Sequence, residues 1–227
     1  MKLKNIIDLI NNEFSYVRIA VDFHDYDIEK DPRLLIPFSY YQYYGMMNKS
    51  GEIVVEPKFD RILDSCREDS DFVRVGIYYT YGSNRSTKEP SKYLRTKWGL
   101  LNSNGEFIFE PEYKKMGVSN DSRILTIQHM DGQYEGISVD GKVIIPKGNY
   151  AWIDSFDGGL SRVYVRDCDK KIWGIMDSCG IIVLPLKFSN IWNFYKKKRL
   201  ETTIEAIDEF GCKRVGSFSL ITYEVNI

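Results

Sequence analysis

The sequence predicts an all-β fold, a tandem array of about five three- to four-stranded antiparallel meanders. Three observations predict it. An aromatic-glycine pair recurs along the chain, a short β-branched run follows each pair, and Phe, Trp and Tyr make up 14% of the 227 residues. Rings and β-branched side chains pack well on a pleated surface. Self-similarity at a fixed short period marks stacked supersecondary units.

The anchors recur in register. Trp98-Gly99 opens WGLLNSNGEFIFEPEY, Trp173-Gly174 opens WGIMDSCGIIVLPLKF, and Tyr44-Gly45 opens YGMMNKSGEIVVEPKF. A weaker copy, Tyr134-Glu135-Gly136, opens YEGISVDGKVIIPKGNY. Each has a second glycine (Gly51, Gly105, Gly141, Gly180), then a proline (Pro57, Pro111, Pro146, Pro185), then an aromatic (Phe59, Tyr113, Tyr150, Phe188). Gly99 to Gly136 is 37 residues and Gly136 to Gly174 is 38. One further period lands on Phe210-Gly211, with Gly216 as the second glycine and Ile221 in place of the proline. A terminal repeat is expected to be atypical, because one side faces solvent.

Each anchor has a physical reason. The glycine after the aromatic lets a neighbouring backbone or ring approach closely. The second glycine ends a hairpin turn and takes positive φ at little steric cost. The runs that follow, such as Ile53-Val54-Val55 and Val143-Ile144-Ile145, are too short for helices and read as buried strands. Proline, lacking an N–H, is expected to stop each strand. A further strand is expected before each pair, at Val17–Val21, Phe72–Val75, Ile124–Ile127, Leu160–Val165 and Leu200–Ile207. A short fourth segment is expected around Ile62, Met116, Ile153 and Ile191. Leu3, Ile6, Ile7 and Ile10 recur at helical spacing, which predicts an amphipathic capping helix over residues 1–15. The array then covers 16–227, with repeats near 16–64, 65–118, 119–155, 156–194 and 195–227. The period fits either an open solenoid or a propeller-like ring.

With these anchors in place, the chain resembles the WG-repeat family found widely in bacteria, over roughly residues 44 to 194. Tyr44 stands where that family has Trp, and Glu135 is inserted between Tyr134 and Gly136. The resemblance implies a β-repeat fold and a role in binding other molecules. It implies no catalytic residues.

The repeats differ in their connections. Gly45 to Gly99 is 54 residues, and the excess falls in 76–97; the connection at 22–43 is also long. Equivalent connections of a stacked array leave the same edge, so these two are expected to be neighbours. Residues 22–37 hold five acidic against two basic residues, a local charge of −3, and residues 76–97 hold five basic against one acidic, a local charge of +4. Both are rich in tyrosine, which gives large contact area at low conformational cost. Their candidate binding residues are Tyr26, Tyr40, Tyr41, Tyr43, Tyr78, Tyr79, Tyr81, Arg85 and Lys88. The bland reading is that the two segments pair with each other and bury their rings.

Composition narrows the function. The net charge of −1 lacks the field of a nucleic-acid binder. Apolar runs are too short for a membrane span, and the N-terminus lacks a secretory leader pattern, so a cytoplasmic location is expected. Cys66, Cys168, Cys179 and Cys212 form no CxxC and are expected to be reduced, mostly buried thiols. His24 lies among Asp22, Asp25 and Asp27 without a metal-binding pattern, so no metal or cofactor is expected. Lys196–Arg199 reads as a solvated basic run. No acid–base pair or nucleophile stands out, so the chain is expected not to be an enzyme. The reading is a binding or scaffold module for a protein or peptide. The alternatives are an immunity protein that inhibits a bacterial toxin and a carbohydrate or cell-envelope binder.

Overall fold

Each copy folds as a hairpin because its second glycine takes a left-handed turn. Gly51, Gly105, Gly141 and Gly180 have φ of +86°, +79°, +86° and +82°. Three of the four turns are closed the same way, and the Gly141 turn has Ser138 in the corresponding place. In the first, the Gly51 N–H donates to the Asn48 carbonyl at 3.0 Å, and the Asn48 side-chain oxygen accepts the N–H groups of Ser50 and Glu52 at 3.0 Å each. Asn102 and Asp177 repeat this arrangement. The asparagine or aspartate thus organises the turn and the glycine completes it.

The computed structural model describes residues 17–19, 35–63, 72–80, 94–118, 124–193, 201–207, 212–220 and 223–226. Among them there is no helix and there are five antiparallel four-stranded sheets. The first sheet holds β1 (Val17–Ile19), β2 (Ile36–Tyr40), β3 (Tyr43–Met47) and β4 (Ile53–Phe59). The second holds β5 (Arg61–Leu63), β6 (Phe72–Thr80), β7 (Leu94–Asn102) and β8 (Phe107–Tyr113). The third holds β9 (Lys115–Val118), β10 (Ile124–Gln128), β11 (Tyr134–Ser138) and β12 (Val143–Ile145). The fourth holds β13 (Trp152–Ile153), β14 (Leu160–Asp167), β15 (Lys170–Asp177) and β16 (Ile182–Phe188). The fifth holds β17 (Asn190–Ile191), β18 (Glu201–Ile207), β19 (Lys213–Ser219) and β20 (Val225–Asn226). The helix expected over residues 1–15 lies outside the described residues.

The short segments around Ile62, Met116, Ile153 and Ile191 are strands, and each joins the sheet that follows it. β5 pairs with β6, β9 with β10, β13 with β14 and β17 with β18. Each repeat therefore hands a strand forward.

Three expectations need correction. First, proline stops the strand only in the third copy, where β12 ends at Ile145 before Pro146; Pro57, Pro111 and Pro185 lie inside β4, β8 and β16. These are the last strands of their sheets, and each bulges where it passes the aromatic-glycine pair, so the lost N–H interrupts no ladder. Tyr44 pairs with Phe59, Trp98 with Tyr113 and Trp173 with Phe188, so the recurring anchors are the two ends of one cross-strand aromatic pair. The bulge also explains the glycine. A Cβ on Gly45, Gly99 or Gly174 would lie 2.5, 2.7 and 2.7 Å from the carbonyl oxygens of Val55, Phe109 and Leu184.

Second, the strand beside Tyr44-Gly45 is β2, with Phe38 opposite Gly45, and not Val17–Val21; β1 pairs on the other side of β2. The tyrosine-rich stretch before Tyr44 had disguised a strand as a loop. Third, the fifth copy sits later than its period predicts. Ile204 faces Gly216 as Val163 faces Gly174, so Val215-Gly216 occupies the aromatic-glycine register. Valine there hid the copy from an aromatic pattern.

The chain divides into two compact units, Met1–Lys114 and Lys115–Ile227. In the first, the first two sheets pack face to face through Leu35, Met46, Val55 and Phe59 against Val73, Val75 and Leu101. In the second, the fourth sheet is sandwiched. One face packs Ile153, Val163 and Met176 on Ile124, Tyr134 and Ile145 of the third sheet; the other packs Trp173, Ile175 and Phe188 on Ile191, Ile204 and Phe218 of the fifth. Burial on both faces makes the fourth repeat the most continuously apolar in sequence.

Candidate functional site

The predicted site residues that the structure describes all fall in the first unit, at one end of its two sheets. That end is where the second and third strands of each sheet join. In the first sheet, Tyr41 and Gln42 form a two-residue turn between β2 and β3. Tyr41 adopts φ of +53° and is 71% exposed. A first central turn residue with positive φ is ordinarily glycine, because a side chain there is strained. The Tyr41 ring sits edge-on to Tyr40, with centroids 4.7 Å apart, and Tyr40 pairs across the strands with the exposed Tyr43.

The second sheet runs further. Phe38 faces Gly45 and Val75 faces Gly99, so Tyr40 and Ile77 hold equivalent positions. Beyond Ile77, the pairs Tyr78–Thr96, Tyr79–Arg95 and Thr80–Leu94 have no counterpart in the first sheet. Side chains alternate along a strand. Val73 and Val75 face the first sheet, so Ile77 and Tyr79 continue that face past its end. Their cross-strand partners Lys97 and Arg95 share it. The Lys97 ammonium lies 5.5 Å from the Tyr79 ring centroid, within cation–π range. Asp60, the one residue between β4 and β5, ties the two sheets together here. Its N–H donates to the Gly76 carbonyl at 2.9 Å, and its carboxylate accepts the Tyr78 N–H at 2.6 Å.

The result is an overhang: a ledge of Ile77, Tyr79, Arg95 and Lys97 projecting past the Tyr41 turn. Tyr78 points to the opposite face, so Tyr78 and Tyr79 do not serve one surface. Tyr40 and Tyr43 share the face of Phe38, turned away from the second sheet. Tyr26, Tyr81, Arg85, Lys88 and the His24 group lie outside the described residues. Ile77 was missed as a site residue; its place two residues after Val75 on a strand longer than its neighbours' was the available signal.

The long connections are equivalent only in part: Tyr40, Tyr41 and Tyr43 of the first lie at the same end as the β6–β7 hairpin, but its acidic part joins β1 to β2. β1 runs antiparallel to β2, with Ile19 opposite Phe38, so residues 20–34 start from the end where β2 begins. Residues 81–93 start from the end where β6 finishes. The acidic and basic segments therefore depart from opposite ends of their strands.

A second polar cluster lies in the second unit. The Arg162 guanidinium donates to the Asp154 carboxylate at 2.6 and 3.2 Å and to the Ile191 carbonyl at 2.9 Å. It lies 5.6 and 5.5 Å from the Trp152 and Trp173 rings. Both side chains of the ion pair are largely buried, and its donors and acceptors are satisfied inside the protein, so it is a joint between the fourth and fifth sheets. The thiols depart from expectation: Cys168, Cys179 and Cys212 are exposed, the first two because they lie in turns, and Cys66 lies outside the described residues. Among the described residues, no group of three or more His, Cys, Asp or Glu could hold a metal ion, and no helix is long and apolar enough to cross a membrane.

Comparison with known proteins bears on the frame. No curated protein matches the chain. Among solved structures, oligopeptidase B from Trypanosoma brucei with covalently bound antipain is 11% identical with a TM-score of 0.44, covering 96% of this chain and 33% of its own. A puromycin hydrolase complexed with PGG is 10% identical with a TM-score of 0.40, covering 94% of this chain and 37% of its own. The chain spans about a third of the length of these structures, and likenesses so distant carry no activity over to it. Residues 44–75, 98–125 and 137–167 match the model of the WG containing repeat family, and with its aromatic-glycine frame the chain belongs to that family.

Proposed function

We propose that the chain is a non-enzymatic binding module that holds a protein or peptide partner on the overhang of its first unit. One observation carries the reading. The β6–β7 hairpin outruns the first sheet and leaves Ile77 and Tyr79 with Lys97 and Arg95 on a face that, among the described residues, has no strand of the first sheet across from it. Aromatic and arginine side chains dominate binding energy at protein interfaces. The exposed ring that Tyr41 presents beside this ledge supports the same reading, because tyrosine gives large contact area at low conformational cost.

The test is capture from the native cell followed by mass spectrometry. The bait is the full chain, compared with its Ile77→Ser with Tyr79→Ser variant. Both side chains lie past the end of the first sheet, so Val73, Val75 and the core they pack in are untouched. The wild-type chain is expected to retain a partner that the variant loses. An identical capture profile, with folding of both confirmed by circular dichroism, would sink the proposal.

A further inference from the structure

The central hairpin of the fourth sheet carries a pair of cations that the second and fifth sheets do not repeat. β14 and β15 stay in register up to the turn at Cys168, and Arg166 stands directly opposite Lys171. At the same register the second sheet sets Tyr78 against Thr96, and the fifth sets Ile207 against Lys213. Arg166 and Lys171 are both exposed, and among the described residues neither forms an ion pair. Like charges directly opposite each other destabilise a strand pair.

The ladder brings these two side chains as close as an antiparallel pair allows. Arg162 and Tyr164 turn their carbonyls toward β13, where they accept the Asp154 and Ala151 N–H groups at 3.0 Å each. The hydrogen-bonding direction alternates residue by residue along an antiparallel strand, so Arg166 turns the same way and shares no ladder bond with Lys171. In such a pair the Cα atoms are about 4.5 Å apart. Two residues inward on the same face lies the buried Tyr164, and the Lys171 ammonium sits 5.1 Å from its ring centroid. The ring holds that charge on the face that Arg166 shares. The next pair outward, Asp167 opposite Lys170, has matched charges and points to the other face.

We propose that Arg166 and Lys171 form a site for one phosphoryl group carried on a peptide segment of a protein partner. The site lies in the second unit and does not rest on the overhang. Charge chooses the occupant. The pair presents one guanidinium and one ammonium, and a phosphorylated side chain brings about two negative charges near neutral pH with three acceptor oxygens. A carboxylate leaves one of the cations unmatched. A polyanion such as a nucleic acid reaches past the pair to Asp167 and Asp169, which repel it. The hairpin is exposed, and salt screens a lone ion there, so the phosphoryl group needs the chain that carries it to supply further contacts. Binding relieves the repulsion between the two cations, and the Arg166 guanidinium offers paired donors to the phosphoryl oxygens.

The test passes two peptide libraries over the immobilised 227-residue chain, alike in their random flanks and differing only in whether a central serine carries phosphate. The phosphorylated library is expected to be retained about tenfold more strongly. Arg166→Gln with Lys171→Gln is expected to abolish that preference and, because the repulsion leaves with the charges, to keep or raise the Tm. Lys171→Arg, which keeps the charge, and Lys170→Gln, on the other face, are each expected to keep the preference. Inorganic phosphate and a single-stranded oligonucleotide are expected to bind more weakly than the retained phosphopeptides. Equal retention of the two libraries, a preference that survives loss of both cations, or one that Lys170→Gln also abolishes would overturn the proposal. So would a double variant less stable than wild type, or an oligonucleotide or inorganic phosphate that binds as tightly as the phosphopeptides.

Discussion

The turns that join the second and third strands of the first and fourth sheets share a backbone and differ in everything they present. Tyr41 and Cys168 are each the first residue of a two-residue turn, with φ of +53° and +51°, the second turn lying two residues further out. Tyr40 and Tyr43 flank the first turn, and Asp167 and Lys170 flank the other. The frame behind them is also shared: a glycine under a bulged carbonyl, and an aromatic pair across the bulge. What differs is the surface, aromatic in one sheet and charged in the other. The shared residues therefore build the scaffold, and the departures from it mark where binding is placed.

The largest expected effect tests the shared frame. Gly45→Ala and Gly174→Ala would each drive a Cβ into a carbonyl oxygen, and each is expected to cost about 3 kcal/mol in urea denaturation. Unequal losses, with one near zero, would show that the two sheets do not share their frame. Next comes the joint that the fourth sheet has. Arg162→Leu removes two cation–π contacts and strands the Asp154 carboxylate, so a loss of about 2 kcal/mol is expected. Stability within a few tenths of wild type would show that the cluster contributes no net energy.

A smaller effect separates the two turns. Cys168→Gly is expected to stabilise by about 1 kcal/mol, since glycine carries no penalty at positive φ. Tyr41→Gly gains the same relief but loses the edge-on contact with Tyr40, so its stability should barely change while its partner binding falls. A Tyr41→Gly variant with full affinity would remove Tyr41 from the site.

The smallest effect concerns pH. The hydrogen bond from the Lys213 ammonium, with a further one from the Trp192 indole, holds the Glu205 carboxyl below its ordinary 4.5. A depressed carboxyl contributes stability in full above its unfolded value, and loses it as pH falls through the folded one. The Tm difference between wild type and Glu205→Gln should therefore be constant near neutrality and shrink on acidification. A difference that grows toward low pH would contradict the assigned pairing.

The fold class was legible because its anchors do physical work that few residues can do. Gly51 and its counterparts need positive φ, and Gly45 and its counterparts need the absence of a Cβ, so both leave marks in any sequence that folds this way. The direction of strand exchange was not legible: Arg61–Leu63 follows Phe59 in sequence, and only pairing shows that it joins the next sheet. Pro57 misled as a strand end because its missing N–H falls in a bulge on an edge strand. Val215 misled because a valine stands in the register where three of the other sheets have a ring directly before the glycine. At the candidate site, composition singled out Tyr41 and Tyr79 but could not separate Tyr79 from Tyr78, because that depends on which face of β6 meets the first sheet.

The most direct test measures affinity for the captured partner in three chains: wild type, Ile77→Ser with Tyr79→Ser, and Val165→Ser with Asp167→Ser as the equivalent change on the fourth sheet. The first-unit variant is expected to lose about thirtyfold in Kd, as interface aromatics of this kind do, while the fourth-sheet variant stays at wild-type affinity. Equal affinity in all three, or a loss confined to the fourth-sheet variant, would contradict the placement of the site on the overhang.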